Sequence, residues 1–123
     1  MIVLDEEISF GIVQRPIQRW YPGKVITVRD LRPNARLLDP ELPLYLRQLR
    51  SPTFVTINYR DFWREEYLHP AYCLICLKLT NDDAARVPDI LREILKLPEF
   101  NTKAKRMGKI ISWTPTEVKF WEL

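Results

Sequence analysis

Acidic side chains recur where apolar runs of the sequence end. They are Asp5 and Glu6 after the opening run, Asp39 and Glu41 in the middle of the chain, and Asp61 after a later run. Carboxylates gathered from separate segments repel one another unless a divalent cation neutralises them, so such a cluster is typical of a Mg²⁺ or Mn²⁺ site. One or two such ions can activate water and hold a phosphodiester for in-line attack.

The same acids also fit a simpler interpretation as solvated caps. Acidic side chains at strand ends and helix starts interact favourably with the exposed amide groups and the dipole of the following helix. The spacing of the residues leaves the metal site and the cap both open, and the choice depends on the elements that position them.

Short apolar runs bounded by turn residues predict the strands of the chain. We expect strands at residues 2–4, 25–28, 53–57, 72–79, 109–113 and 117–121. The last two are joined by Thr114-Pro115-Thr116, which is short enough for a hairpin.

Helical patterns occupy the segments between these strands. Residues 8–20 carry a loose apolar stripe that is interrupted by Gly11 and Pro16, which predicts an irregular helix. Asp39 is suited to cap a helix that has Pro40 at its first position, and a short helix is expected after Asp61.

The clearest helical period follows Asn81-Asp82-Asp83, which we expect to cap a regular helix. Its apolar stripe consists of Val87, Ile90, Leu91, Ile94, Leu95 and Leu97. Strands separated by helices predict an α/β fold with three layers, in which a mostly parallel central sheet has helices on both faces. Sites in such folds lie outside the carboxyl ends of the strands.

Composition limits the remaining possibilities. At 123 residues, with 46% apolar and 28% charged residues, the chain fits a single domain spanning 1–123. No apolar run approaches the roughly 18 to 20 residues that cross a bilayer, and the start carries acids where a signal peptide has basic residues. We therefore expect no membrane association and a cytoplasmic location.

The order of the motifs resembles the PIN-like family, in particular its small, mostly prokaryotic branch, which is associated with toxin-antitoxin pairs. The resemblance covers nearly the whole chain. It is carried by Leu4-Asp5-Glu6, by Val25-Ile26-Thr27-Val28-Arg29-Asp30-Leu31, by Asp39-Pro40-Glu41, and by Val55-Thr56-Ile57-Asn58-Tyr59-Arg60-Asp61-Phe62.

What this resemblance implies is a metal site that cuts RNA. The catalytic acids would be Asp5, Glu41 and Asp61. The metal ligands would be drawn from Asp5, Glu6, Asp39, Glu41, Asn58 and Asp61, with Mg²⁺ or Mn²⁺ as the cofactor. The chain departs from the family pattern Thr-x-Asp-x-Asp-Phe, because Asn58 stands at the first Asp and one extra residue precedes Asp61. Asn can offer a carbonyl oxygen to a hard cation, but it brings no charge.

Cations and aromatic residues near the predicted sheet edge could contact a nucleic acid. Arg29 and Arg60 flank this edge and are candidates for phosphate contacts. A second basic stretch, from Lys103 to Lys109, is either a further phosphate contact or a solvated face. The aromatic residues between Tyr59 and Tyr67 either stack on bases or belong to the local core.

The remaining reactive side chains favour structural roles. His69 lies in a loop before a proline and is interpreted as a structural or surface residue rather than an acid-base group. Cys73 and Cys76 stand three residues apart on a predicted strand, where they point to opposite faces, so we expect two core residues rather than a metal or redox pair.

Two functional hypotheses follow. The first is a metal-dependent ribonuclease, for which the toxin of a toxin-antitoxin pair is a candidate role and a small antitoxin-like protein that blocks the acidic cleft is a candidate partner. The second is a catalytically inactive module that binds RNA or a protein partner, for which Asn58 is the main support. The mild formal charge of +3 is compatible with an anionic partner, and a homodimer is a further candidate assembly.

Overall fold

A six-stranded sheet organises the chain. The computed structural model describes residues 1–31, 41–62 and 65–123, and the side chains of 61 and 62 lie outside that description. The strands are β1 (Ile2–Leu4), β2 (Val25–Thr27), β3 (Thr53–Thr56), β4 (Cys73–Leu77), β5 (Lys109–Thr114) and β6 (Glu117–Glu122). Their order across the sheet is β2-β1-β3-β4-β5-β6. The first five strands run parallel, and β6 pairs antiparallel with β5.

The predicted α/β class, the mainly parallel sheet and the terminal hairpin are therefore confirmed. The hairpin closes where Thr114 pairs with Glu117. The predicted strands at 25–28, 53–57 and 72–79 were too long, because β2 ends at Thr27, β3 at Thr56 and β4 at Leu77.

The helices are α1 (Gly11–Trp20), α2 (Val28–Leu31), α3 (Leu42–Leu46), α4 (Tyr59–Phe62), α5 (Val87–Lys96) and α6 (Lys103–Arg106). Short 3₁₀ segments cover Glu6–Ile8, Glu65–Tyr67 and Asn81–Arg86. Within the described residues, no helix is long and apolar enough to cross a membrane.

The end of β2 has a local cause in a pair of reciprocal hydrogen bonds. The Thr27 amide donates to Oδ2 of Asp30 at 3.0 Å, and the Asp30 amide donates to Oγ1 of Thr27 at 3.1 Å. These bonds satisfy amide groups that a helix start otherwise leaves unpaired. Val28 accordingly begins α2 instead of extending the strand.

Three helix boundaries also differ from expectation. The segment 8–20 is divided into the turn that contains Ile8 and the regular α1, in which Pro16 is accommodated. The short helix predicted after Asp61 begins earlier, at Tyr59, because it follows β3 almost directly. Asn81 to Asp83 form a 3₁₀ turn whose N-cap is Thr80, so they precede α5 instead of capping it.

Strands β1, β3 and β4 are buried on both faces, and their successive residues point to opposite sides of the sheet. Ile2 and Leu4 belong to one core cluster and Val3 to the other. The first cluster also contains buried residues of α1 and α5, and the second contains Leu42 and Leu46 of α3. Cys73 lies in the first cluster and Cys76 in the second, which confirms that they point to opposite faces.

Candidate functional site

The carboxyl ends of β1 and β3 lie side by side, and Asp5 is the first residue beyond β1. The Asp5 amide donates to the carbonyl of Val55 at 3.0 Å, which continues the parallel ladder by one residue. In the sheet, β1 lies between β2 and β3, which are the next two strands along the chain. The chain therefore changes direction between β1 and β3, and ligands of open α/β sheets bind at such a switch point.

Two donors hold the Asp5 carboxylate in place. Oδ1 accepts the Glu6 amide at 2.7 Å, and Oδ2 accepts the Thr56 hydroxyl at 2.6 Å. The Ser9 hydroxyl donates to the Asp5 backbone carbonyl at 2.7 Å, which fixes the following turn. Asp5 is thus a cap, as the simpler interpretation expected, but it is half-buried and bonded across two strands rather than solvated.

Burial dominates the electrostatics of this carboxyl. Loss of solvation raises the pKa of Asp5 above its ordinary value, and the nearby charges of Glu7 and Glu6 act in the same direction. The hydrogen bonds from Thr56 and from the Glu6 amide lower the pKa of Asp5 but do not offset the burial. The ionised carboxylate is consequently a group that a bound cation would stabilise.

Thr56 connects Asp5 to the segment after β3. Its hydroxyl donates to Asp5 and accepts the Asn58 amide at 2.9 Å, so one buried side chain orders both the carboxylate and the loop that carries Asn58. Asn58 itself is half-buried at this edge. Thr56 was missed as a functional residue, although it stands in the segment from Val55 to Phe62 that the sequence singled out, because its contact with Asp5 spans 51 residues of sequence.

A cleft of about 360 Å³ opens at the same edge of the sheet. It is lined by Glu6 and Glu7 after β1, Phe10, Arg29 of α2 and Asn81 after β4. The structure thus brings the predicted metal ligand Glu6 and the predicted phosphate contact Arg29 to one cleft. Glu6, Glu7 and Arg29 are all exposed, so their charges are accessible to a ligand.

The other predicted acids are placed less completely. Glu41 is exposed at the start of α3, and its side chain makes no capping hydrogen bond there. Asp39, with its predicted capping role, lies outside the described residues, as does the Asp61 side chain. The backbone of Asp61 belongs to α4, directly after β3. The convergence of Asp5, Glu41 and Asp61 therefore stays a prediction.

Among the side chains that the structure describes, no group of three or more His, Cys, Asp or Glu residues is arranged to hold a metal ion. The side chains of Asp39 and Asp61 lie outside the described part of the structure, so this absence does not extend to them. The Asp5 and Glu6 carboxylates and the Asn58 amide are described candidate oxygen ligands that follow β1 and β3 at this edge of the sheet. A hard cation such as Mg²⁺ or Mn²⁺ prefers donors of this type.

The second phosphate candidate and its aromatic neighbour lie on α4. Arg60 is exposed there, in the turn that follows β3. Tyr59 is half-buried, and its hydroxyl accepts a hydrogen bond from Ser112 of β5 at 2.9 Å. Tyr59 packs against the second core cluster together with Tyr67, which favours the interpretation of both as local core residues.

The structure supports the structural interpretation of the remaining reactive side chains. His69 precedes β4, at the amino end of the strands, where its Nδ1 accepts the Ala71 amide at 3.0 Å and its ring stacks on Tyr72. Cys73 and Cys76 are buried free thiols. Burial raises the pKa of Cys73 to about 12 and that of Cys76 further still. Neither thiol is poised to become a nucleophile or a metal ligand.

Comparisons with known proteins add no family to these observations. Protein-family models, curated proteins and solved structures were each compared with the chain, and none of them matches.

Proposed function

We propose that the chain is a metal-dependent ribonuclease of the PIN-like type, with Asp5 at the centre of its site. The observation that carries the proposal is the position of Asp5. Its carboxylate is half-buried at the switch point between β1 and β3, and donors from two segments hold it there. Burying a carboxylate costs free energy, and a purely structural residue at this position would not need to be an acid. The switch point is also where open α/β sheets bind ligands.

The proposal includes the three-layer architecture of the PIN-like family. Its support is the separation of the two core clusters. Buried residues of α1 and α5 belong to the cluster that contains Ile2 and Leu4, whereas α3 belongs to the cluster that contains Val3. Alternate residues of β1 face opposite sides of the sheet, which supports helices on both of its faces.

Mg²⁺ or Mn²⁺ is the proposed cofactor. Asp5 would hold it together with oxygens drawn from Glu6, Asn58 and Asp61, and with Glu41 or Asp39 from the segment before α3. When bound, the ion would polarise water and the phosphodiester for hydrolysis. The fit rests on the oxygen-only donor set and on the raised pKa of Asp5, because a desolvated carboxylate gains more from a cation than a solvated one.

The chain's own residues have distinct tasks in this scheme. Thr56 keeps the Asp5 carboxylate oriented through its hydroxyl, and it holds the Asn58 segment through the amide of that residue. Arg29 lines the cleft beside Glu6 and would hold an RNA phosphate, with Arg60 as a second contact. The mixture of acidic and basic groups suits a phosphodiester bound together with a cation, since a cation would neutralise the acids that otherwise repel the phosphate.

A second function is favoured by one residue. Asn58 stands where the family pattern has an acid, and an amide contributes no charge to a cation site. In the alternative, the chain is a catalytically inactive module that binds RNA through Arg29 and Arg60. A small antitoxin-like protein, a homodimer and a cytoplasmic location stay predictions under either function.

The first experiment measures cleavage of a labelled single-stranded RNA by purified protein with Mn²⁺, with Mg²⁺ and with EDTA. Cleavage is expected when Mn²⁺ or Mg²⁺ is present and not in EDTA. Asp5→Asn is expected to lower the cleavage rate by about 10²-fold or more, which is the loss seen when one electrostatic contact to the transition state is removed from other active sites. Asp89→Asn, an exposed acid in the first turn of α5, is the matched control and should cleave like wild type. Cleavage that persists in EDTA would refute the metal dependence, and full activity in Asp5→Asn would refute the proposed place of Asp5 in the site.

The second experiment separates the two functions. Asn58→Asp restores the charge that the family pattern has, so Mn²⁺ binding measured by calorimetry should become tighter if residue 58 is a ligand. Unchanged Mn²⁺ affinity in this variant, together with no cleavage by wild type, would favour the inactive module. Arg29→Ala and Arg60→Ala would then be expected to weaken RNA binding without changing the affinity for Mn²⁺.

A further inference from the structure

A second cleft, of about 440 Å³, lies at the opposite, amino-terminal edge of the sheet. Its walls come from the end of α1, the end of α5 and the segment before β5. Its charged lining residues are Arg92, Lys96, Lys103 and Arg106, and no acid among the described residues lines it. Ligand pockets typically enclose about 300 to 1,000 Å³, so this cleft is of a size that suits a small molecule.

Arg106 is the unusual member of this set. Its side chain is 4% exposed, and its guanidinium donates to Oγ1 of Thr53 at 3.3 Å and to the carbonyl of Phe100 at 2.9 Å. Both acceptors are neutral. Among the described residues, the ion pairs involve Lys109 and Lys119, and none involves Arg106.

A buried charge is costly unless an opposite charge compensates it. Arginine offers five N–H donors, and the contacts to Thr53 and Phe100 leave others available on a side chain that lines the cleft. The second basic stretch is therefore not simply a solvated face, since Arg106 is withdrawn from water while Lys103 remains exposed beside it.

Lys96 by itself has a simpler role. It lies in the last turn of α5, where a cation interacts favourably with the carboxyl end of the helix dipole. Lys103 has no such explanation, because it opens the four-residue α6. The charge balance of the cleft therefore depends on Arg106 and Lys103, with Arg92 and Lys96 adding to the positive potential.

Aromatic rings complete the wall. Trp20 and Tyr21 line the cleft with their rings edge to face at 6.3 Å, and the Arg92 guanidinium lies 6.0 Å from the centre of the Trp20 ring. Cations beside aromatic rings match a ligand that carries a phosphate and a planar base. Phosphate is favoured over a carboxylate because its several oxygens can accept from more than one cation at once.

We infer that this cleft binds a terminal phosphomonoester of nucleotide size, with Arg106 and Lys103 on the phosphate and Trp20 or Tyr21 against the base. The site is independent of the acidic cleft, which lies at the carboxyl edge of the sheet. The same chemistry is available from a free mononucleotide or from the 5′ end of an oligonucleotide.

Calorimetry in EDTA tests the inference without any metal at the acidic site. The titrants are inorganic phosphate, AMP, adenosine and a 5′-phosphorylated trinucleotide. AMP is expected to bind about 5- to 100-fold more tightly than phosphate, since stacking of a base on an aromatic ring contributes on this scale. AMP binding without trinucleotide binding identifies a free mononucleotide as the ligand, and binding of both identifies a terminal nucleotide.

Charge variants show where the ligand binds. Lys103→Glu should weaken AMP binding by about tenfold or more, because it removes a charge-assisted contact and adds repulsion. Lys119→Glu, an equal change of charge on the exposed strand β6, should bind AMP like wild type, and so should Asp5→Asn. Failure of phosphate, AMP and trinucleotide to bind, or equal weakening in both lysine variants, would overturn the inference.

Discussion

The hydrogen bond from Thr56 to Asp5 gives the sharpest test of the candidate site. Thr56→Val keeps the shape of the side chain but removes the donor to Oδ2 of Asp5, at 2.6 Å, and the acceptor of the Asn58 amide, at 2.9 Å. A hydrogen bond to a charged group contributes about 1.5 to 3 kcal/mol, and an amide that loses its partner costs about 1 kcal/mol or more. The methyl group that replaces the buried hydroxyl offsets a part of this loss through its apolar contacts.

We therefore expect Thr56→Val to lower the free energy of unfolding by about 2 to 4 kcal/mol. For a domain of this size, each 1 kcal/mol lowers the Tm by roughly 3 to 6 °C. Urea unfolding followed by circular dichroism measures the free energy directly. Thr116→Val, in the exposed turn between β5 and β6, is the control and should stay within about 0.5 kcal/mol of wild type.

A double-mutant cycle with Asp5→Asn assigns the effect to the pair. In the Asp5→Asn background the charge-assisted part is already absent, so Thr56→Val should cost only about 1 kcal/mol. Equal costs in the two backgrounds, or a cost no greater than that of Thr116→Val, would show that Thr56 does not hold the Asp5 carboxylate, and the argument for an ordered acid at the switch point would fail.

Three further outcomes follow from the structure. Burial raises the pKa of Asp5 in the folded state, so the folded protein favours the protonated carboxyl. The stability that Asp5 contributes is therefore fully present below its unfolded-state pKa and is lost as the pH rises through its folded-state pKa. Asp5→Asn should then be at least as stable as wild type at pH 7, with its advantage shrinking as the pH is lowered in urea titrations. Cys73, whose pKa burial raises to about 12, and Cys76 should resist alkylation at pH 8 until urea unfolds the chain, as mass spectrometry would show. Gly108 has φ +83°, so Gly108→Ala should lower the free energy of unfolding by about 1 to 2 kcal/mol in the same urea assay, whereas Ala104→Gly in the exposed helix α6 should cost at most about 1 kcal/mol.

The sequence by itself determined the elements whose signals are local. Apolar runs located all six strands to within a few residues, and the helical period identified the buried face of α5. Alternation along β4 was enough to place Cys73 and Cys76 on opposite faces, because that alternation is a property of any strand. The end of β2 could also have been predicted from the sequence, since Thr27 and Asp30 form a local capping pair.

The tertiary structure decided which of these elements meet. Only the strand order puts β1 beside β3, and with it the contact between Asp5 and Thr56 across 51 residues of sequence. The burial of Arg106 also depends on tertiary structure, because its partner Thr53 is 53 residues away. No local sequence signal distinguishes Arg106 from its exposed neighbour Lys105. Side-chain type and spacing indicate what a residue can do, whereas desolvation and long-range partners depend on the packing of segments that are distant in sequence.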